Sequence, residues 1–176
     1  MPKLRLALLC LTLTLGGCNS EPAKPMVTVS SVDLQRYLGS WYEIAMLPNR
    51  FQAMCTSDTQ AQYRQDGDRI QVRNRCRKAD GSVEEAIGQA KVVEGSGNAK
   101  LRVSFFWPFY GNYWVLALDD NYQWVLVGEP GREYGWVLAR SPGMDEPTLT
   151  RVLDKAASLG YNRAAFQRTP QPQPLD

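Results

Sequence analysis

The sequence predicts an all-β protein: an eight-stranded, up-and-down antiparallel β-barrel with one C-terminal α-helix packed on its outside. Three observations lead there. Eight strand-like runs follow one another between residues 41 and 140, separated by short turns of Gly, Asn, Asp or Pro, and regular spacing of this kind marks a barrel or sandwich. An even-numbered meander that closes on itself removes its exposed edges. After Ser141-Pro142-Gly143 the apolar period changes, and Leu149, Val152, Leu153 and Ala156 fall at helical spacing.

The elements follow in order. Residues 1–17 open with Lys3 and Arg5, continue through an apolar run at 6–15 and end in small residues, the pattern of a secretory signal. The run is too short for a spanning helix, which needs about 20 residues. Its end, Leu15-Gly16-Gly17-Cys18, resembles the bacterial lipobox. That resemblance implies cleavage before Cys18 and lipid on its thiol and new terminus, and several acyl chains together anchor stably. Asn19, in place of an aspartate, points to the outer membrane. Residues 18–30 read as lipidated cysteine and polar tether, 31–168 as the barrel domain, and the proline- and glutamine-rich residues 169–176 as a disordered tail. Within the domain a short helical turn is expected at 34–38. Strands are expected at 41–47, 57–65, 69–77, 83–93, 100–107, 112–119, 122–127 and 134–140. Asp145 is the candidate N-cap of the helix, Pro147 fits its first turn, and Gly160 stops it.

Cysteine use agrees with export. Cys10 leaves with the signal and Cys18 carries lipid, which leaves Cys55 and Cys76 of the four. Asp66-Gly67 between them is a hairpin signal. Folding about it brings Cys55 and Cys76 nearly opposite, so a disulfide is expected over two free thiols in an oxidising compartment.

Composition excludes several functions. Removing Lys3 and Arg5 from 20 basic residues leaves 18 against 18 acidic ones, so the mature chain is close to neutral. Arg73, Arg75, Arg77 and Lys78 read as a solvated strand face, and no nucleic-acid partner is called for. The chain has no histidine, which removes Ser-His-Asp and Cys-His catalysis, proximal-His haem and His-containing zinc sites. No metal and no cofactor is expected.

Residues 104–114, SFFWPFYGNYW, hold seven aromatic rings in eleven residues. Alternation sends Leu101, Val103, Phe105 and Trp107 to one face, with Arg102 and Ser104 on the other. Tyr134, Trp136, Leu138 and Arg140 likewise share a face. Ala86, Gly88 and Ala90 are small residues on one face of the fourth run, and leave room beside the aromatics. Pro108–Gly111 divides the stretch into two strands and the hairpin that joins them.

The motifs then become specific. Gly39-Ser40-Trp41-Tyr42-Glu43 resembles the lipocalin G-x-W signature, and Leu118-Asp119-Asp120-Asn121-Tyr122 is similar to the second lipocalin motif, with leucine in place of threonine. Arg140, after Trp136-Val137-Leu138-Ala139, resembles the third motif's arginine. YLGSWYEIA, VSFFWPFYGNYWVLALD and YGWVLARSP look more closely like bacterial lipocalins, outer-membrane lipoproteins of the apolipoprotein D-like branch. The resemblance implies structural roles for Gly39, Trp41, Asp119, Tyr122 and Arg140, with the Arg140 guanidinium over Trp41 at the closed end. Glu43 shares the inward face of Trp41, and Arg140 is its expected partner.

The resemblance also implies small apolar ligands, fatty acids or lysophospholipids for the bacterial type, and an open end at the fifth-to-sixth turn, with Phe109 and Tyr110 at the pocket mouth. The expected wall is Val103, Phe105, Trp107, Tyr113, Val115, Trp136, Leu138 and Ala90, with Tyr113 and Arg50 as candidates to hold a polar head at the mouth. No residue is assigned a catalytic role. Glu43, Asp119 and Tyr113 are the only sensible acids or bases if the barrel were an enzyme. A third reading is an envelope interaction module that docks through the aromatic hairpin at 107–110. The sequence leaves the oligomeric state open, a dimer included.

Overall fold

The computed structural model describes residues 25–175. The expected secretory signal and the expected lipidation site, Cys18, lie outside them. Eight antiparallel strands form the barrel: β1 (Gly39–Met46), β2 (Cys55–Asp66), β3 (Arg69–Lys78), β4 (Val83–Val92), β5 (Lys100–Phe106), β6 (Phe109–Leu118), β7 (Trp124–Gly128) and β8 (Gly135–Ala139). Each pairs with the next, and β1 closes the ring by pairing with both β2 and β8. Closure satisfies backbone groups that would otherwise line two open edges.

Alternation sorts side chains into two cores. The inner one holds Trp41, Tyr63, Val72, Ala90, Leu101, Val115, Val127 and Leu138. The outer one joins Ile44, Ala45, Leu116, Leu126 and Val137 to helix α2 (Glu146–Ser158). The Asp145 carboxylate accepts from the Thr148 N–H, which caps the helix as its sequence anticipates. Leu149, Val152 and Ala156 are buried beneath it, and each of the two larger ones stabilises the contact by about 2 kcal/mol. Gly160 ends the helical segment at φ +91°, a left-handed conformation open to glycine.

The barrel has two different ends. A short helix α1 (Leu34–Tyr37), capped by Asp33, plugs the end where the β2–β3, β4–β5 and β6–β7 turns lie. The β1–β2, β3–β4, β5–β6 and β7–β8 connections surround the other. A disulfide joins Cys55 to Cys76 near that open end, closing a loop of 21 residues that stabilises the fold by about 3 kcal/mol. The basic residues of β3 are engaged rather than free: Arg73 pairs with Glu85, Arg77 with Asp58 and Lys78 with Glu84, while Arg75 donates to the Gln60 side chain.

Two expectations about the ends of the domain need correction. Residues 25–30, read as tether, lie against the barrel: the Val29 N–H donates to the Val115 carbonyl, and Met26 packs on the outer core. Their apolar Met26 and Val29 account for the docking. The residues read as a disordered tail form a strap. Strand β9 (Gln167–Arg168) pairs with β1. Beyond it, the Thr169 N–H donates to the Ile44 carbonyl and the Asp58 N–H to the Pro170 carbonyl. Gln171 bonds the carbonyls of Glu43 and Thr59, and the Gln173 N–H bonds Asp58. β1 and β2 pair only from Gly39↔Tyr63 to Tyr42↔Gln60. Above that they part, and the strap supplies partners to the backbone groups left open between them.

Candidate functional site

The closed end is built from the motif residues. Trp41 is fully buried and donates from its indole N–H to the Tyr37 carbonyl at 2.8 Å. The Arg140 guanidinium lies 3.8 Å from its ring centroid and donates to the carbonyls of Ser40 and Arg36. Gly39 sits at φ +94°, a left-handed conformation that glycine adopts without steric cost. The Asp119 carboxylate accepts from the N–H groups of Asn121 and Gln123, and the Tyr122 hydroxyl accepts from the Asp33 N–H. These residues shape the floor and close it with α1.

Glu43 is not paired with Arg140. Its carboxylate is buried and accepts from Gln52 Nε2 at 2.7 Å and from the Thr169 hydroxyl. Gln52 Oε1 in turn accepts from the Trp136 indole N–H at 2.8 Å and from Asn49 Nδ2 at 2.9 Å. Burial pushes the Glu43 carboxyl up, and the bonds from Thr169 and Gln52 offset only part of that. Arg140 is held by carbonyls at the closed end, so the two charges never meet.

Above the floor three phenols converge. Tyr37 Oη lies 2.7 Å and Tyr63 Oη 2.9 Å from Tyr113 Oη. Burial drives all three hydroxyls up, Tyr63 to about 12, so they are neutral donors at any physiological pH. Three hydroxyl protons serve two mutual bonds, which leaves one proton over for an acceptor. Tyr113 was expected at the mouth; its hydroxyl is deep in the barrel instead. Arg50, the other head-group candidate, does stand in the β1–β2 connection, with its guanidinium 4.9 Å from the Phe51 ring centroid.

Of the expected wall, Ala90, Val115 and Leu138 belong to the buried inner core. Val103, Phe105, Tyr113 and Trp136 pack against that core yet keep part of their surface open. Gly88 makes space for Phe105: a Cβ there would meet the Phe105 ring at 2.8 Å. Ala86, expected beside it, is exposed. Trp107 does not join the wall. It is 84% exposed, because Phe106 pairs with Phe109 across a tight turn and Trp107-Pro108 forms the tip. Strand alternation stops at Phe106. Tyr37, Tyr63 and Gln52 were missed; Tyr63 shares strand parity with Ala61 and could have been found, whereas Gln52 sits in a loop without periodicity.

The geometry has known counterparts. The family model for the lipocalin-like domain matches residues 32–171. Outer membrane lipoprotein Blc of Vibrio cholerae is 39% identical over 158 residues, covering 88% of this chain and 91% of its own. Temperature-induced lipocalin-1 of Arabidopsis thaliana is 38% identical over 157 residues, covering 84% of each. Apolipoprotein D of Macaca fascicularis is 33% identical over 142 residues, covering 77% of this chain and 72% of its own. Among solved structures, insecticyanin from the tobacco hornworm Manduca sexta superposes with a TM-score of 0.69 at 21% identity, over 83% of this chain and 84% of that one, and shares the fold. Motifs, barrel and relatives agree: the chain belongs to the lipocalin family, in the branch that includes Blc and apolipoprotein D.

Proposed function

We propose that the mature protein is a lipid-binding lipocalin, anchored to the bacterial outer membrane through Cys18, that holds the acyl chain of a fatty acid or lysophospholipid inside its barrel for transport, storage or envelope maintenance. The observation that carries this reading is the half-open apolar wall of Val103, Phe105 and Trp136 above the tyrosine cluster. Each methylene moved from water to such a wall contributes about 0.8 kcal/mol. The spare phenol proton offers a neutral donor to the carboxyl oxygen of a fatty acid that enters head first. The lipobox and the outer membrane lipoproteins among the relatives support the address. Glu43 has both carboxylate oxygens taken by Gln52 and Thr169, which supports binding over catalysis.

The test is titration of delipidated protein with lysophospholipid, followed by tryptophan fluorescence. Saturable quenching at micromolar concentration, weakened by Phe105→Ala, is expected. Absence of any saturable change would remove the proposal, and mass spectrometry of co-purifying lipid identifies the natural ligand.

A further inference from the structure

Nine large apolar side chains stand out in solvent among the described residues, and they are not spread evenly. Phe51 and Met54 lie in the β1–β2 connection, and Val83 begins β4 just after the β3–β4 turn. Phe106, Trp107 and Phe109, exposed by 75, 84 and 76%, crown the β5–β6 hairpin. Ile87 shares a surface groove with Trp107 and Phe105, where β4 and β5 part above the Gln89↔Ser104 pair. Only Val27 and Val92 lie elsewhere. Seven of the nine therefore surround or adjoin one end of the barrel, its mouth.

We propose that this apolar ring is a docking surface for a phospholipid bilayer, so that the mouth opens against the membrane that carries the anchor; the proposal rests on the Cys18 anchor described above. Three features favour a bilayer over a protein partner. The side chains come from separate hairpins around an opening, where a fluid interface conforms to each and a rigid partner would need matching pockets. Tryptophan at a hairpin tip suits the boundary between headgroups and acyl chains. The connections at 47–54, 79–82, 107–108 and 129–134 carry Arg50 and Arg132 against Asp80, Glu129 and Glu133, a net charge of −1. The attraction is therefore apolar rather than electrostatic, and insensitive to salt.

The chain outside the structure is long enough. From Cys18 to Pro25 is seven residues, which span about 25 Å when extended. Val29 is bonded to Val115 on the barrel's flank, six residues of β6 below Phe109, or about 20 Å. Anchor and mouth can reach one bilayer, and an acyl chain could then pass into the barrel without crossing water.

The experiment reconstitutes the mature lipidated chain into dioleoylphosphatidylcholine vesicles, with and without bromine on the acyl chains. The emission of Trp107 is taken as the difference between wild type and Trp107→Phe. A blue shift against detergent-free buffer, loss of most of that emission to brominated chains, and protection from iodide are expected, unchanged at high salt. Trp107 emission that stays red and iodide-accessible overturns the proposal. Protection from iodide without quenching by bromine also overturns it, and assigns the ring to contact between copies of the chain. The mass of the N-terminal peptide reports lipidation separately, so a failed anchor is distinguished from a failed mouth: unlipidated chain added to the same vesicles still reports Trp107.

Discussion

The Arg140 guanidinium lies 3.8 Å from the centroid of the Trp41 ring and donates to the carbonyls of Ser40 and Arg36. One side chain thus joins β1, α1 and the segment after β8 across the closed end. Two charge-assisted bonds and a cation–π contact together contribute about 3 kcal/mol. Arg140→Ala should cost that much in urea unfolding. Arg140→Lys should fall between, since an ammonium can stay over the indole but cannot reach both carbonyls in a planar fork. Equal losses for the two variants would show that charge contributes nothing there.

The tyrosine cluster predicts an unequal series. Tyr113 is the shared partner, so Tyr113→Phe leaves both the Tyr37 and the Tyr63 hydroxyl buried without the group each bonds. Tyr63→Phe removes one end and keeps the Tyr37–Tyr113 bond. An unsatisfied buried hydroxyl costs about 1–3 kcal/mol, so Tyr113→Phe should destabilise about twice as much as Tyr63→Phe. The triple Phe variant, with no polar group left to satisfy, should be more stable than Tyr113→Phe alone. Thermal unfolding of the four proteins decides it, and additive losses would mean the hydroxyls act independently.

What the sequence made legible follows the range of its signals. Alternation placed all eight strands, and the switch to helical spacing placed α2, because both patterns are local and are enforced by burial on one face. Gly39, Trp41, Asp119, Tyr122 and Arg140 could be read because the family motif fixes their spacing. Trp107 was misplaced because parity cannot say where a strand stops. Glu43 was placed correctly on the inward face but with the wrong partner: Gln52 comes from a loop and Thr169 from the far terminus. The tail reads as disordered because its order is bound up with bonds to β1, β2 and β3, not with any periodicity of its own.

That tail gives a direct test. A chain ending at Arg168 loses the Thr169 hydroxyl on Glu43, the Gln173 N–H on Asp58, the Pro170 carbonyl that accepts from the Asp58 N–H, and the Leu175 carbonyl that accepts from Gln60. The Thr169 N–H on Ile44, the Gln171 amide on the carbonyls of Glu43 and Thr59, and the Gln173 carbonyl that accepts from Arg77 go with them. At about 1 kcal/mol for each buried bond the loss amounts to several kcal/mol, visible as a lower midpoint in denaturant. Asp58 should feel it at acid pH. Burial raises its carboxyl, but the Gln173 N–H, Arg77 and Ser57 outweigh that and hold it below its ordinary value. The stability it contributes is present above the unfolded pKa and lost as pH falls through the folded one, and truncation should shrink that acid-side loss. A truncated chain with unchanged stability would return the tail to the disordered class.

Glu43 acts with the opposite sign. Burial raises its folded pKa above the ordinary 4.5, so the proton is bound more tightly in the fold than in the unfolded chain. The stability linked to that proton is fully present below the unfolded value and is lost as pH rises through the folded one. Glu43→Gln removes this dependence. The amide fits the same partners: its oxygen accepts from Gln52, and its NH₂ donates to the Thr169 hydroxyl, which can act as acceptor. Melting temperatures of wild type and Glu43→Gln should therefore lie close together at mildly acid pH and separate as pH rises, with the glutamine variant the more stable at neutral and alkaline pH. Parallel curves would mean that Glu43 binds its proton no differently in the folded and unfolded chains.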